Sequence, residues 1–360
     1  MNETDSHNKE KQFNNLFLIG AGFTKAVFDV APLNDGLLED LISRYPKSPL
    51  VEYQCRYHTN NIEVLLTRLD LETAELQSER LEQDRQKINE EIAGYFQQFR
   101  FNEETFQKSE YRWLKSFAEE LFKKNDAIIT LNYDCFLEGL LDYYRIWTPN
   151  GGYCVVEVSV PGTSVPQNPH NISICKIHGS ENFKESYVLN EQGRTGQTQI
   201  DPIIDKTIYP VSGKNSCLGV VDNEFTVPIS YIIAPSFTKI PHSQIEVMMV
   251  DALCAAAKSK NLIIIGCGLR PEDSFLWLLL ASFLKNTTRV NVQHSIDPGQ
   301  GDRKKLLVED LYAEQIEKKV RNHCTDVDKF VEVKSFSKGL KKDIKLLIQE
   351  LHGQNSGIKS

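Results

Sequence analysis

Four short stretches of this chain place glycine or polar residues directly after an apolar run. That pattern puts functional groups at the end of a β-strand. They are Gly20-Ala21-Gly22 after residues 16–19, Asn132-Tyr133-Asp134 after 126–131, Lys176-Ile177-His178-Gly179 after 172–175, and Gly266-Cys267-Gly268-Leu269 after 261–265. Glycines at i and i+2 let a backbone turn sharply and approach a ligand. The free N–H groups of the following helix then face a pyrophosphate. Lys25 stands where a third glycine would complete GxGxxG, so a plain strand–helix turn remains an open reading. Asn132 and Asp134 fall at the carboxyl edge of a parallel strand, where ligands bind in doubly wound folds. In the alternative reading Asn132 caps the next helix and Asp134 sits in its first turn. A lone histidine is usually structural, but His178 sits at a strand end beside a glycine, a position that lines clefts. Two strand–Gly-x-Gly–helix units suggest that both halves of a dinucleotide sit at helix N-termini. Asp273, at the start of the second of these helices, reads as a cap.

The elements that must position these groups follow from periodicity. Residues 16–19 read as a buried parallel strand. Pro32 and Gly36 are expected to end the first helix, with Asn34 or Asp35 capping a second. A loop over 28–35 then lies above the first glycine turn. Between about 50 and 125, apolar residues recur at helical spacing (Ile62, Leu65, Leu66, Leu69, Leu76, Leu81, Ile88, Ile92, Phe96, Trp113, Phe117 and Leu121), giving a helical insertion. From about 148 to 235, Gly, Pro, Ser, Thr and Val mark a smaller irregular segment with short strands over 153–160 and 231–235, and Lys239 follows it. Residues 244–257 and 275–284 read as helices. Residues 289–294 read as an edge strand, followed by a turn at Asp297-Pro298-Gly299. In a C-terminal extension over 301–360, Leu306, Leu307, Leu311, Tyr312 and Ile316 have helical spacing. A short strand over 331–333 and a Lys-rich helix to Leu351 follow. The expected fold is α/β: a Rossmann-like doubly wound parallel sheet over 13–300, with residues 1–12 disordered and 353–360 fraying.

Composition bounds the function. Of 360 residues, 41% are hydrophobic and 25% charged, as in a soluble globular protein. A net charge of −8 argues against direct nucleic-acid binding. No run of about 18 apolar residues occurs, and the polar start of the chain lacks the apolar core of a signal peptide. The eight cysteines form no CxxC, which suggests reduced, mostly buried thiols in a cytoplasmic protein.

Taken together, GAGFTKA, TLNYD, KIHG and GCGLRPED resemble the sirtuin family in order and spacing. The resemblance covers roughly residues 13–300. It is to the bacterial sirtuin-like branch that degrades NAD in antiphage defence; the zinc-containing protein deacylases are more distant. It implies that Gly20, Ala21, Gly22 and Thr24 contact phosphate and ribose. By the same resemblance Asn132 orients the attacking water or the ribose, Asp134 holds the nicotinamide carboxamide, and His178 is the general base. Gly266, Gly268 and Leu269 would contact the adenosine. Cys267 stands where the family often carries a small polar residue, and Thr24 replaces the more usual serine. No paired CxxC zinc module lies between His178 and Tyr231, so no metal is expected and deacylation is disfavoured.

The implied activity is that of an NAD glycohydrolase, with NAD as substrate and nicotinamide and ADP-ribose as products. Constant activity would be lethal, so control is expected through a homo-oligomer or a partner. By family analogy that partner is a HerA-type ATPase or a phage-derived activator. An NAD-dependent protein deacylase or ADP-ribosyltransferase is the second reading. A non-catalytic module that senses NAD or ADP-ribose is the third.

Overall fold

The computed structural model describes residues 13–153, 168–189, 195–212, 229–233, 241–270, 273–293, 304–323 and 331–353. The expectations for residues 1–12, 154–160, Pro235, Lys239, the turn at 297–299 and the last seven residues lie outside the described residues.

Six parallel strands form the main sheet. They are β1 (Asn15–Ile19), β2 (Ala127–Thr130), β3 (Ser173–Lys176), β7 (Asn261–Ile265), β8 (Lys304–Glu309) and β9 (Val331–Phe336), in the order β3-β2-β1-β7-β8-β9. Counted within this sheet alone, the order is 3-2-1-4-5-6, that of a doubly wound dinucleotide-binding fold. The α/β expectation is met. β1, β2 and β3 are buried at every position, which is why NLFLI and AIIT read as unbroken apolar runs rather than alternating ones. The register is continuous: Leu16 pairs with both Ala127 and Leu262, and Ile19 with both Thr130 and Ile265.

The helical insertion lies between β1 and β2. Its helices are α1 (Ala21–Val27), α2 (Asn34–Arg44), α3 (Pro49–Tyr57), α4 (Ile62–Leu76), α5 (Glu79–Phe96), α6 (Glu103–Phe106) and α7 (Arg112–Ser116), with a π-helical turn at Phe117–Leu121. Ile62, Leu65, Leu66 and Leu69 form, with Ile88 and Ile92, a core separate from that of the sheet. Leu76 departs from the expected stripe. It is 58% exposed because the helix ends there, with Gln77 turning out of it at φ 46°. Gly36 lies inside α2 instead of breaking a helix, and the residue preceding α2 is Leu33, not an Asn or Asp cap. α8 (Phe136–Tyr143) follows β2, and its N-cap is Cys135. Asn132 therefore caps nothing.

β4 (Gly179–Leu189), β5 (Thr195–Pro202) and β6 (Ile229–Ile232) make a small antiparallel sheet in the order β5-β4-β6. α9 (Ser243–Lys258), α10 (Ser274–Gln293), α11 (Ala313–His323) and α12 (Leu340–His352) complete the chain. Residues 289–293 are the end of α10, not an edge strand. No glycine or proline interrupts 274–293, so the helix propagates through a β-branched stretch. Leu306 and Leu307 are strand residues of β8, fully buried, and not part of a helix. The segment after residue 300 thus supplies two strands of the main sheet. Cys135 and Cys267 are free and buried as expected; Cys55 and Cys254 are free but exposed, and Cys175 is disulfide-bonded. No helix among the described residues is long and apolar enough to cross a membrane.

Asp126, fully buried just before β2, ties the lower ends of β1 and β2 together. Its carboxylate accepts from the Asn15 backbone N–H (3.2 Å), Asn15 Nδ2 (2.9 Å) and the Lys123 N–H (2.7 Å). Burial nevertheless pushes its pKa up to about 7. Burial likewise raises Asp134 to about 6 and Glu309 to about 8. Carboxyls of this type have an unfolded pKa near ~4. Between those values the folded protein holds more protons than the unfolded one. The stability they contribute is full below about pH 4 and is lost as pH rises through 6 to 8. Urea unfolding should give a higher midpoint at pH 5 than at pH 8, and the difference should shrink in Asp126→Asn.

Candidate functional site

The carboxyl ends of all six strands of the main sheet open on one cavity of about 880 Å³, within the ~300–1,000 Å³ usual for small-molecule sites. Going across the sheet, it is lined by His178 after β3, Asn132 after β2, Gly20 after β1, Gly268 after β7, Glu309 at the end of β8 and Lys338 after β9.

Its floor is made by the two glycine turns, which pack on each other. Gly20 N–H donates to the Ile265 carbonyl (3.0 Å) and Gly22 N–H to the Gly266 carbonyl (2.9 Å). A Cβ on Gly20 would lie 2.6 Å from the Gly266 oxygen, and one on Gly22 2.7 Å from the Gly266 Cα. Gly266 has φ +56°, and its Cβ would lie 2.4 Å from the Phe23 nitrogen. These three glycines are required by backbone meeting backbone. The Phe23 N–H is also engaged, by the Gly20 carbonyl (3.0 Å). The expected row of free N–H groups is therefore corrected: α1 has seven residues, and the Gly22 and Phe23 amides are already bonded. Gly268 differs, because a Cβ there would meet nothing within 4 Å. Beside it, Leu269 is buried with φ +43°, a strained conformation for a branched side chain. Its loop is held by Lys319 Nζ donating to the Gly268 carbonyl (2.8 Å) and by Arg270 pairing with Glu63 of α4 (2.7 Å).

Asn132 is 9% exposed, and its orientation follows from the groups below it. The Thr24 hydroxyl donates to Asp134 Oδ2 (2.9 Å), so its lone pairs face the Asn132 amide. Asn132 Nδ2 donates to Thr24 Oγ1 (3.0 Å) and to the Gly20 carbonyl (3.1 Å). Asn132 Oδ1 has no hydrogen-bond partner among the described residues. Asp134 also accepts from the Phe136 N–H (3.2 Å), and Lys176 Nζ donates to its carbonyl (2.7 Å). Lys176 forms a fully buried ion pair with Glu138 (2.7 Å).

His178 sits in the two-residue turn between β3 and β4. Gly179 lets the chain reverse there, with φ +76° and a would-be Cβ 2.4 Å from the Tyr231 oxygen. His178 Nε2 lies 3.4 Å from Asp273 Oδ2.

Of the residues singled out from sequence, Gly20, Ala21, Gly22, Asn132, His178, Gly266, Gly268 and Leu269 line the cavity together. Thr24 and Asp134 are not among its lining residues; both are buried and linked beneath Asn132. Sequence reasoning missed Asp273 as the partner of His178, because only the fold brings residues so distant in the chain together. It also missed Glu309 and Asp310, although LLVED carries the same signal as the other sites: an apolar run ending in polar residues.

No family model and no curated protein matches the chain. Among solved structures, it is similar to a Sir2 homologue in complex with NAD (13% identity, TM-score 0.42, 97% of this chain and 96% of that one). It is also similar to Sir2Tm bound to a propionylated peptide (11% identity, TM-score 0.37, 94% of each chain). At these values the likeness carries nothing about reaction or residues.

The glycine contact has a direct consequence. Gly266→Ala should lower the unfolding free energy by at least about 2 kcal/mol, because it adds a backbone clash at a left-handed position. Gly268→Ala should leave stability within about 1 kcal/mol of wild type. Urea denaturation of the two variants checks both.

Proposed function

We propose that the cavity is the active site of an NAD glycohydrolase that releases nicotinamide and ADP-ribose. The observation that carries this reading is the meeting of Asn132 and His178, from neighbouring strand ends, in one cavity beside the first glycine bend. In this reading the nicotinamide ribose lies over β2 and β3, and the pyrophosphate over the bends of β1 and β7.

Breaking the bond between the nicotinamide nitrogen and the ribose C1′ leaves its electron pair on nicotinamide, which departs neutral without an acid. Positive charge develops on the sugar and water attacks C1′. Asn132 Oδ1, an acceptor without a partner, suits a hydrogen bond from that water or from a ribose hydroxyl; an uncharged amide does not compete as a nucleophile. The His178 imidazole takes the proton of the attacking water, and Asp273 orients the ring. Thr24 and Asp134 act through Asn132 by fixing which way its amide points, rather than by touching nicotinamide.

Unchecked, this activity would empty a cell of NAD. We therefore read the protein as a defence effector controlled by assembly or by a partner. The test is to follow nicotinamide release from NAD by the purified protein across a range of protein concentrations. Asn132→Ala and His178→Ala should each lower the rate by ~10²–10⁴-fold with the fold intact by circular dichroism. Near-wild-type turnover in both variants would refute the assignment. Nicotinamide release only with an acylated peptide would establish the deacylase or transferase reading. Binding without turnover at every concentration would establish a sensing module. Asp273→Asn, which keeps the shape of the side chain but not its charge, should lower kcat by about 10–100-fold and leave KM nearly unchanged.

A further inference from the structure

The cavity extends past the part that the proposed reaction occupies. β9 lies three strands from β1, about 14 Å away, on the side opposite Asn132 and His178. With the cleaved ribose over β2 and β3 and the pyrophosphate over β1 and β7, the rest of the dinucleotide comes next, over β7 and β8. The mouth over β9 is left over. Two stretches of chain form it: residues 310–312 after β8, and residues 338–342, which run into the first turn of α12. They meet there, because a Cβ on Gly339 would lie 3.7 Å from Leu311 Cδ2.

The chemistry of this mouth differs from that of the floor. Lys338, Lys341 and Lys342 line it, within five positions of each other, in a chain of 49 acidic and 41 basic residues. Their ammonium groups form no ion pair among the described residues. Lysines elsewhere on the same two strands are paired: Lys305 of β8 and Lys334 of β9 share Glu350 (3.0 and 2.7 Å). Lys341 and Lys342 also stand at the start of a helix, where the macrodipole disfavours a cation. The carboxylates nearby are engaged with backbone. Asp310 accepts from the Tyr312 N–H (2.8 Å), and Asp343 from the Lys338 N–H (2.7 Å). Burial pushes Glu309 up to about 8, which keeps it neutral at pH 7. Beside the lysines, Leu311 is 70% and Tyr312 63% exposed. No other aromatic side chain among the described residues is as open to solvent. An open ring next to cations is the arrangement that stacks a base and holds its phosphate.

We propose that this mouth is a nucleotide site beyond the dinucleotide, with a base stacked on Tyr312 and phosphate held among Lys338, Lys341 and Lys342. Two sources supply that chemistry. One is a free nucleoside triphosphate bound next to NAD. The other is a nucleotide joined through phosphate to the adenosine 3′-oxygen of NAD itself. The inference rests on the dinucleotide reading given above, which says which end of the cavity is left open.

Two measurements on the full chain test it. Calorimetry follows ATP binding with and without saturating ADP-ribose. Nicotinamide release compares NAD with NAD that carries one adenylate on its adenosine 3′-oxygen. If the source is a free nucleotide, ATP binds in the presence of ADP-ribose, and its affinity falls steeply between ~50 and ~200 mM salt. If the source is a joined nucleotide, the extended NAD has a KM at least ~10-fold below that of NAD. Tyr312→Ala and the double variant Lys341→Gln/Lys342→Gln should each weaken the responding measurement by ~5-fold or more, with kcat/KM for NAD unchanged. Silence in both measurements overturns the proposal. So does a response that neither variant moves, or ATP binding that ADP-ribose abolishes, which would put the ATP in the dinucleotide site. ATP binding that depends on Tyr312 and the two lysines, in a protein that neither binds ADP-ribose nor cleaves NAD, would instead overturn the glycohydrolase reading and leave this site standing.

Discussion

Two backbone bends that leave no space for a Cβ between them join the halves of this protein at its midline. The bend after β1 and the bend after β7 lie where the strand order reverses, the place at which a doubly wound sheet opens a crevice. Because Gly20 and Gly22 press on Gly266, the depth of that crevice is set by main-chain atoms, which cannot change rotamer. Both flanks of the cavity are bonded to the same bends. Asn132 donates to the Gly20 carbonyl on one side, and the Gly266 N–H donates to the Glu309 carbonyl on the other. The distance between the two ends of the cavity is therefore held by a short chain of hydrogen bonds through its floor.

Under the Asn132 side lies a buried polar layer whose main effect is geometric. Lys176 and Glu138 are both fully buried, and removing either alone would leave an uncompensated charge at a cost of roughly 3–5 kcal/mol. Replacing both by apolar residues would be far milder, so the pair is weak evidence for stability. What it does is hold the Asp134 main chain through Lys176. Asp134 then faces Thr24, and Thr24 selects the orientation of the Asn132 amide. Burial also pushes the neighbouring Cys135 thiol well above its usual range, which keeps this layer neutral at that point and chemically quiet.

The fold was legible wherever one physical rule dominated. Strands buried on both faces read as plain apolar runs, and amphipathic helices in the insertion read as stripes. Segments satisfying two rules were not legible. Leu306 and Leu307 fit a helical repeat with Leu311 but are also a buried strand, and only the free edge of β7 decides between them. Residues 289–293 have strand-like chemistry, yet they continue a helix that nothing interrupts. In the site, the sequence located the strand ends but not depth. Thr24 and Asp134 carry the same polar signal as Asn132, and only packing shows that they lie a layer below it. Pairing across the chain was invisible for the same reason: Asp273 looks like a helix cap until the fold brings it to His178.

Strand β1 is made long before β7, one of its two neighbours in the sheet. Asn15 and Asn261, bonded through their side chains at the lower ends of β1 and β7, are 246 residues apart. At ~5–20 residues per second of synthesis, the β1 edge waits on the order of 10–50 s for β7. During that interval NLFLI can pair with β2 but has an open row of N–H and C=O groups on its other side, beside an apolar face. Such non-local pairing makes folding slow and exposes the nascent chain to aggregation, so its yield in a cell should depend on chaperone capacity as well as on the stability of the finished sheet.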